Sequence, residues 1–222
     1  MSYHFDWSVL WTFRGALLQG AALTLLLSLA GLAGAVFLGA IAGAVSTAQA
    51  RLPRLAAASY VETARNVPLL VHIYFWYLGL SSLRLPAFWC ASLALMVYCG
   101  AFVAEIVRAG IQSVPAGQAA AAQALGLTRQ QTLVKIVYPQ ALRIIAPSLA
   151  GVFSQLIKDS SLASVVSVGE LTFQAGEIEG VTFRTFEAYI GITLVYLVIV
   201  TAVTRGTILL LRGRAPSFLE PS

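Results

Sequence analysis

The chain has 222 residues, of which 59% are hydrophobic and only 10% charged, whereas soluble domains carry about 25% charged residues. That balance, with a mean hydropathy of +0.83, excludes an ordinary soluble domain and points to a polytopic, helix-rich membrane protein. A spanning helix needs about 20 mostly apolar residues, and lipid cannot satisfy open backbone. The formal net charge of +5 invites a nucleic-acid reading, which the placement of the charges rules out below.

Residues 5–13 hold Trp7 and Trp11 four apart, which suits a short helix lying at the membrane interface or a plain anchoring flank. The start lacks the basic region and short apolar stretch of a cleaved signal, so the apolar run behind it is expected to stay in the protein. The first span is read as 17–47. Gly31, Ala35, Gly39 and Gly43 recur every four residues within it, so they share one helix face. Small residues there let a second helix approach closely. Arg51, Pro53 and Arg54 form a basic turn, and a second span follows over 55–80. It contains Glu62, Arg65 and Asn66 just ahead of Pro68, which removes a helix hydrogen bond and predicts a kink.

The third span is read as 86–108 and closes on Glu105 and Arg108. Cys90 and Cys99 lie nine apart on it, too distant to bridge, and read as free thiols. A polar segment, 112–143, interrupts the apolar pattern. Its alanine run favours helix, Gly126 suits a left-handed stop, and Thr128 with Gln131 has capping-box spacing. The segment therefore reads as a short helix, a sharp turn and a second helix whose stripe Leu133, Val134, Ile136 and Val137 lies against the bundle. Pro139 is expected to restart the chain into a fourth span, 144–166, which contains Lys158, Asp159, Ser160 and Ser161. Residues 170–187 are acidic, and the last span is 188–211. No internal sequence repeat is visible.

Five spans place the termini on opposite sides. Arg51, Arg54, Arg108, Arg129, Lys135, Arg143, Arg212 and Arg214 collect on one side, whereas Arg14, Arg84, Arg184 and most loop carboxylates fall on the other. Basic residues mark the cytoplasmic face. The amino terminus is expected outside, the carboxyl terminus inside, and the polar segment 112–143 in the cytoplasm. The basic charge is thus topological, and no nucleic acid is expected as a partner.

Glu62 and Arg65 enter the second span from the side on which Glu105 and Arg108 leave the third. Buried charges usually pair, so cross-helix pairing, Glu62 with Arg108 or Arg65 with Glu105, competes with pairing inside each helix. Lys158, Asp159, Ser160 and Ser161 could together meet the zwitterionic end of a small solute, or Lys158 could snorkel outward with Asp159 beside it. His4 and His72 stand apart from other ligand types, so no metal site is expected. No HExxH, GxSxG or Walker motif occurs, so neither a catalytic centre nor an ATPase is expected on this chain.

The stretch GQAAAAQALGL followed by IVYPQALR resembles the coupling loop of binding-protein-dependent ABC importer permeases. YVETARNVPLLVHIYFWYLGL, AEIVRAGIQSVPAGQ, IKDSSLASVVSVGEL and the FDWSVL start resemble the polar amino-acid members. The resemblance runs over essentially the whole chain. It implies an all-α permease of the type I ABC importer kind, a single domain over 1–222, in a bacterial inner membrane. It also implies pairing with a second, identical or related, permease subunit. A separate ABC ATPase would carry ATP and magnesium, and an outer amino-acid-binding protein would deliver cargo. Gly117, Gln118, Ala120, Ala121, Ala122, Leu125 and Gly126 would dock the ATPase. Glu62, Arg65, Asn66, Glu105, Arg108, Lys158, Asp159, Ser160 and Ser161 are pathway or gate candidates. The family usually has a glutamate where this chain has Ala120, so docking would rest on shape in place of a charge-assisted bond worth about 1.5–3 kcal/mol. The competing reading is a self-sufficient secondary transporter or channel.

Overall fold

The computed structural model describes residues 3–212, and all regular structure among them is helical. The helices are α1 (Ser8–Thr12), α2 (Arg14–Ser46), α3 (Arg51–Asn66), α4 (Leu69–Gly79), α5 (Ala87–Ser113), α6 (Ala116–Ala124), α7 (Arg129–Thr132), α8 (Tyr138–Asp159), α9 (Leu171–Thr182) and α10 (Thr185–Arg212). Four stretches are long and apolar enough to cross a membrane: Arg14–Ser46, Ala87–Ser113, Arg129–Val166 and Thr185–Thr207. The shorter apolar helix Leu69–Gly79 is the fifth apolar element. Arg214 lies outside the described residues.

The long pair α2 and α5, which run parallel with Gly31 beside Leu95, Gly39 beside Val103 and Gly43 beside Val107, is the frame. Its contact runs along the expected small-residue face. A methyl group added at Gly39 would fall 2.6 Å from the carbonyl oxygen of Gly100, and one at Gly43 would fall 2.6 Å from that of Ala104. With no side chain on α2 there, the α5 backbone and the side chains of Val103 and Val107 pack directly on the glycine backbone, which is how helices gain dispersion contact where lipid removes the hydrophobic drive. Leu27, Leu95, Val103 and Leu156 fill the core beside this seam. Cys90 and Cys99 are buried free thiols on α5, as expected.

The second predicted span is divided. Val67 and Pro68 are extended, so α3 stops at Asn66 and α4 begins behind the proline. Pro68 has no N–H for the carbonyl of Ala64, and the His72 ring fills that role: its Nε2 donates to the Ala64 oxygen at 3.2 Å. The proline therefore ends one helix and starts another, and a side chain one turn later satisfies the carbonyl it leaves open.

The fourth span also differs from expectation. Pro139 does not restart the chain. Arg129 to Asp159 is continuous, with Leu133–Val137 wound as a π-turn directly ahead of the proline. The wider turn absorbs the missing N–H and the bulk of the ring. The inward stripe is consequently Leu133, Val137 and Ala141, which pack on Val114 and Ile111. Val134 is 62% exposed.

The acidic stretch 170–187 covers helix α9 with its caps and the first turn of α10, and it is tied down. Glu170 is fully buried. It accepts the N–H of Phe173 at 2.8 Å and the hydroxyl of Tyr196 at 2.6 Å. Burial pushes its carboxyl up, against the pull of those bonds. Thr24 on α2 accepts the N–H of Leu171 at 3.1 Å, so α9 is pinned to both α2 and α10. Glu187 holds the opposite end of the chain, accepting the N–H of Asp6 at 2.8 Å and the hydroxyl of Tyr3.

Gly39→Val places branched carbon where Gly100 and Val103 now sit. It should cost about 1–3 kcal/mol of stability or more, read as a lower unfolding temperature of the purified permease. An exposed Gly15→Ala control, whose added methyl meets nothing within 4 Å, should not lose stability.

Candidate functional site: two clefts and an uncharged arm

The arm grows from the end of α5. Val114 is extended and Pro115 caps α6. At the far end Gly126 takes φ +87°, its N–H reaches the Gln123 carbonyl at 2.9 Å, and the N–H of Leu127 reaches that of Ala122 at 3.2 Å. That is the paired closure of a Schellman stop. Thr128 and Gln131 then exchange both capping-box bonds, at 2.9 and 3.3 Å. With both ends of the turn closed, α6 is held at a fixed angle to α7. From Ala116 to Thr128 the arm carries no charged side chain. Gly117, Gln118, Ala120, Ala121 and Gly126 are exposed, and Leu125 is 84% exposed. Ala122 is buried, because it shares the inner helix face with Ala119 three residues earlier.

The pathway candidates resolve into two clefts on one side of α5. The first, of about 380 Å³, lies between α5 and α8 and is lined by Tyr98, Cys99, Phe102, Gln155 and Asp159, among others. Gln155 donates to the Asp159 carboxylate at 2.8 Å across one helical turn. Asp159 enters this cleft without its three sequence neighbours. Lys158 is exposed on a different face, since consecutive helical residues point about 100° apart. Ser160 is buried with its hydroxyl on the Ile157 carbonyl, and Ser161 bonds the Lys158 carbonyl. The group of four read from the sequence is thus a single carboxylate with aromatic walls.

The second cleft, of about 390 Å³, is lined by Glu62, Arg65, Asn66, Phe102 and Glu105 together with Val61 and Ala58. Four of the candidates converge here. Glu105 is bound by Arg108 on its own helix, at 3.2 and 2.8 Å, and Arg108 also reaches Gln112. Arg65 approaches Glu105 across the helices at 3.9 Å. Both pairing schemes therefore occur, centred on one carboxylate, while Glu62 and Arg108 do not pair. Phe102 lines both clefts, and the Arg65 guanidinium sits 5.2 Å from its ring centre.

Tyr98, Phe102 and Gln155 were not singled out in the sequence. The available signals were the four-residue spacings Tyr98 to Phe102 on α5 and Gln155 to Asp159 on α8, polar or aromatic side chains repeating on one face.

A family model described as "Binding-protein-dependent transport system inner membrane component" matches residues 35–212. The chain belongs to that family. Curated relatives agree along nearly the whole length of this inner-membrane component. The "Probable glutamine ABC transporter permease protein GlnM" of Bacillus subtilis is 38% identical over 82% of this chain and 86% of its own. The "Glutamine transport system permease protein GlnP" of Escherichia coli K12 is 36% identical over 88% and 91%. Among solved structures, one described as the "Crystal structure of an amino acid ABC transporter with histidines" superposes with a TM-score of 0.88 at 33% identity, covering 95% of this chain and 99% of that one. The methionine transporter MetNI in an inward-facing form shares the fold at a TM-score of 0.81 and 19% identity. Both the five apolar elements and the protruding arm are thus features of an inner-membrane transport component.

Proposed function

We propose that this chain is the permease subunit of an ATP-driven importer for a polar amino acid, and that α6 is the contact through which a separate ATPase drives it. The observation that carries this reading is the arm: a short, uncharged helix, capped rigidly at both turns, standing on the end of α5, whose other face lines both clefts. A rigid arm continuous with a pathway helix transmits motion in either direction, the requirement for coupling two sites. The family description supports a binding-protein-dependent transport role, and the glutamine permeases among the relatives support the cargo class.

In this reading the basic loops, Arg51, Arg54, Arg129 and Lys135 among them, face the cytoplasm with the arm and the carboxyl terminus, and α1 lies outside. An external receptor delivers the amino acid, ATP and magnesium are held by the ATPase, and a second permease subunit completes the pathway. Catalysis is not a task of this chain. In the first cleft Asp159 is placed to take the cargo ammonium, with Tyr98 and Phe102 as apolar walls. Ala120, on the exposed face of α6, leaves the docking surface without the family's glutamate, so contact rests on the alanine backbone and Leu125.

The experiment is uptake of labelled amino acids into proteoliposomes holding the permease, its ATPase and its receptor. Uptake should need all three and ATP, and transport that persists without the ATPase would instead favour a secondary transporter or channel. Asp159→Asn should lower uptake by about tenfold or more, the loss of one charge-assisted contact, with the subunits still co-purifying. Ala120→Glu should change the amount of ATPase retained on the purified permease, and an unchanged amount would remove the docking role assigned to that position.

A further inference from the structure

We infer that the second cleft is a separate binding station for the amino-acid cargo on its way out, taking the carboxylate on Arg65 and the ammonium on Glu62, with the Phe102 ring as the movable wall between it and the Asp159 cleft. This rests on the importer reading above.

Glu105 already has both oxygens engaged by Arg108. Arg65 touches it only at 3.9 Å, beyond hydrogen-bond range, and its guanidinium also rests on the Phe102 face. A guanidinium presents five N–H donors in a planar fork that fits a carboxylate. Among the described residues none of those donors is used in a hydrogen bond, and the side chain is 43% exposed to the cleft and its mouth. Glu62 lines the same cleft and makes no ion pair among the described residues. It stands three residues before Arg65 on α3, so the two heads share a helix face.

With both Glu105 oxygens held by Arg108, the cleft offers, among the described residues, a guanidinium whose hydrogen-bond donors are unused and a carboxylate without an ion pair, side by side. That pattern suits a zwitterion, whose two charged ends lie within a few bonds of each other. It suits an inorganic ion or a singly charged solute less well. Asn66, next on the same face, adds a neutral donor and acceptor.

Continuity with the first cleft comes from Phe102. One ring forms part of both walls, so a side-chain rotation of Phe102 joins the two spaces. Arg65 resting on that ring couples the two events: a carboxylate that draws the guanidinium away removes the contact holding the ring. The backbone supports this placement. α3 ends at Asn66, and the His72 ring fixes that end by holding the Ala64 carbonyl.

The test uses proteoliposomes with the complete importer, the vesicle lumen standing for the cytoplasm. Uptake of labelled L-glutamine is measured against unlabelled L-glutamine preloaded in the lumen, or against L-glutaminol, which keeps the ammonium but lacks the carboxylate. The unaltered importer should be inhibited by lumenal L-glutamine and at least about tenfold less by L-glutaminol. Arg65→Gln should raise the half-inhibiting L-glutamine concentration about tenfold, Arg65→Lys less, and Glu62→Gln should act in the same direction as Arg65→Gln. Equal inhibition by L-glutamine and L-glutaminol in the unaltered importer would overturn the station, and so would no lumenal inhibition at all. An Arg65→Gln importer that assembles and is inhibited like the unaltered one would do the same. Failure of the unaltered importer to take up L-glutamine, L-glutamate or L-histidine with ATP removes the importer reading itself, and the station falls with it.

Discussion

The backbone contact between α2 and α5 is the constraint on which the rest of this molecule depends. At Gly39 and Gly43 the two helices meet with carbonyl oxygens where a side chain would otherwise stand. In lipid such a seam depends on close packing, since there is no water to expel. It fixes α5, and α5 is a shared wall of both clefts and the root of the arm. One of its faces, with Gly100, Val103 and Ala104, is committed to α2. Another, at Tyr98, Phe102 and Glu105, lines both clefts. Its end carries the arm. A change in how α5 sits on α2 is felt at all three places.

Backbone satisfaction is the second organising force. Proline precedes α4, α5 and α6, each time as an extended cap. At two of the prolines inside apolar structure the break in the helix ladder is met locally: by the His72 ring at the α3–α4 break and by a π-turn ahead of Pro139. An unsatisfied carbonyl in such surroundings would cost several kcal/mol. The break at Pro68 therefore persists as a defined joint beside the cleft that holds Arg65.

Local signals made part of this legible in advance. The four-fold glycine and alanine face of α2, the Gly126 stop, the Thr128 and Gln131 box and the free thiols all depend on neighbours in sequence, and each stands as read. What needed three dimensions was read less well. The second span became two helices because a histidine ring eight residues from Ala64 makes the break tolerable. Lys158, Asp159, Ser160 and Ser161 separated because a helix spreads consecutive residues around its axis. Glu105 satisfies one cross-helix contact and one within its own helix, an outcome that neither pairing scheme alone describes. Phe102 was passed over because an aromatic in an apolar run is ordinary core until two cavities are seen to share it.

The central claim is that the uncharged face of α6 is where an ATPase seats. It is tested most directly by cross-linking in native membranes. Cys90 and Cys99 are buried, so a new thiol at Leu125 or Ala121 would be the reactive one. Leu125→Cys and Ala121→Cys should cross-link to the ATPase subunit, while Phe183→Cys, an exposed position in the turn ahead of α10, should not. Cross-links to the ATPase from Phe183 and none from the arm would contradict both the docking surface and the orientation of the chain.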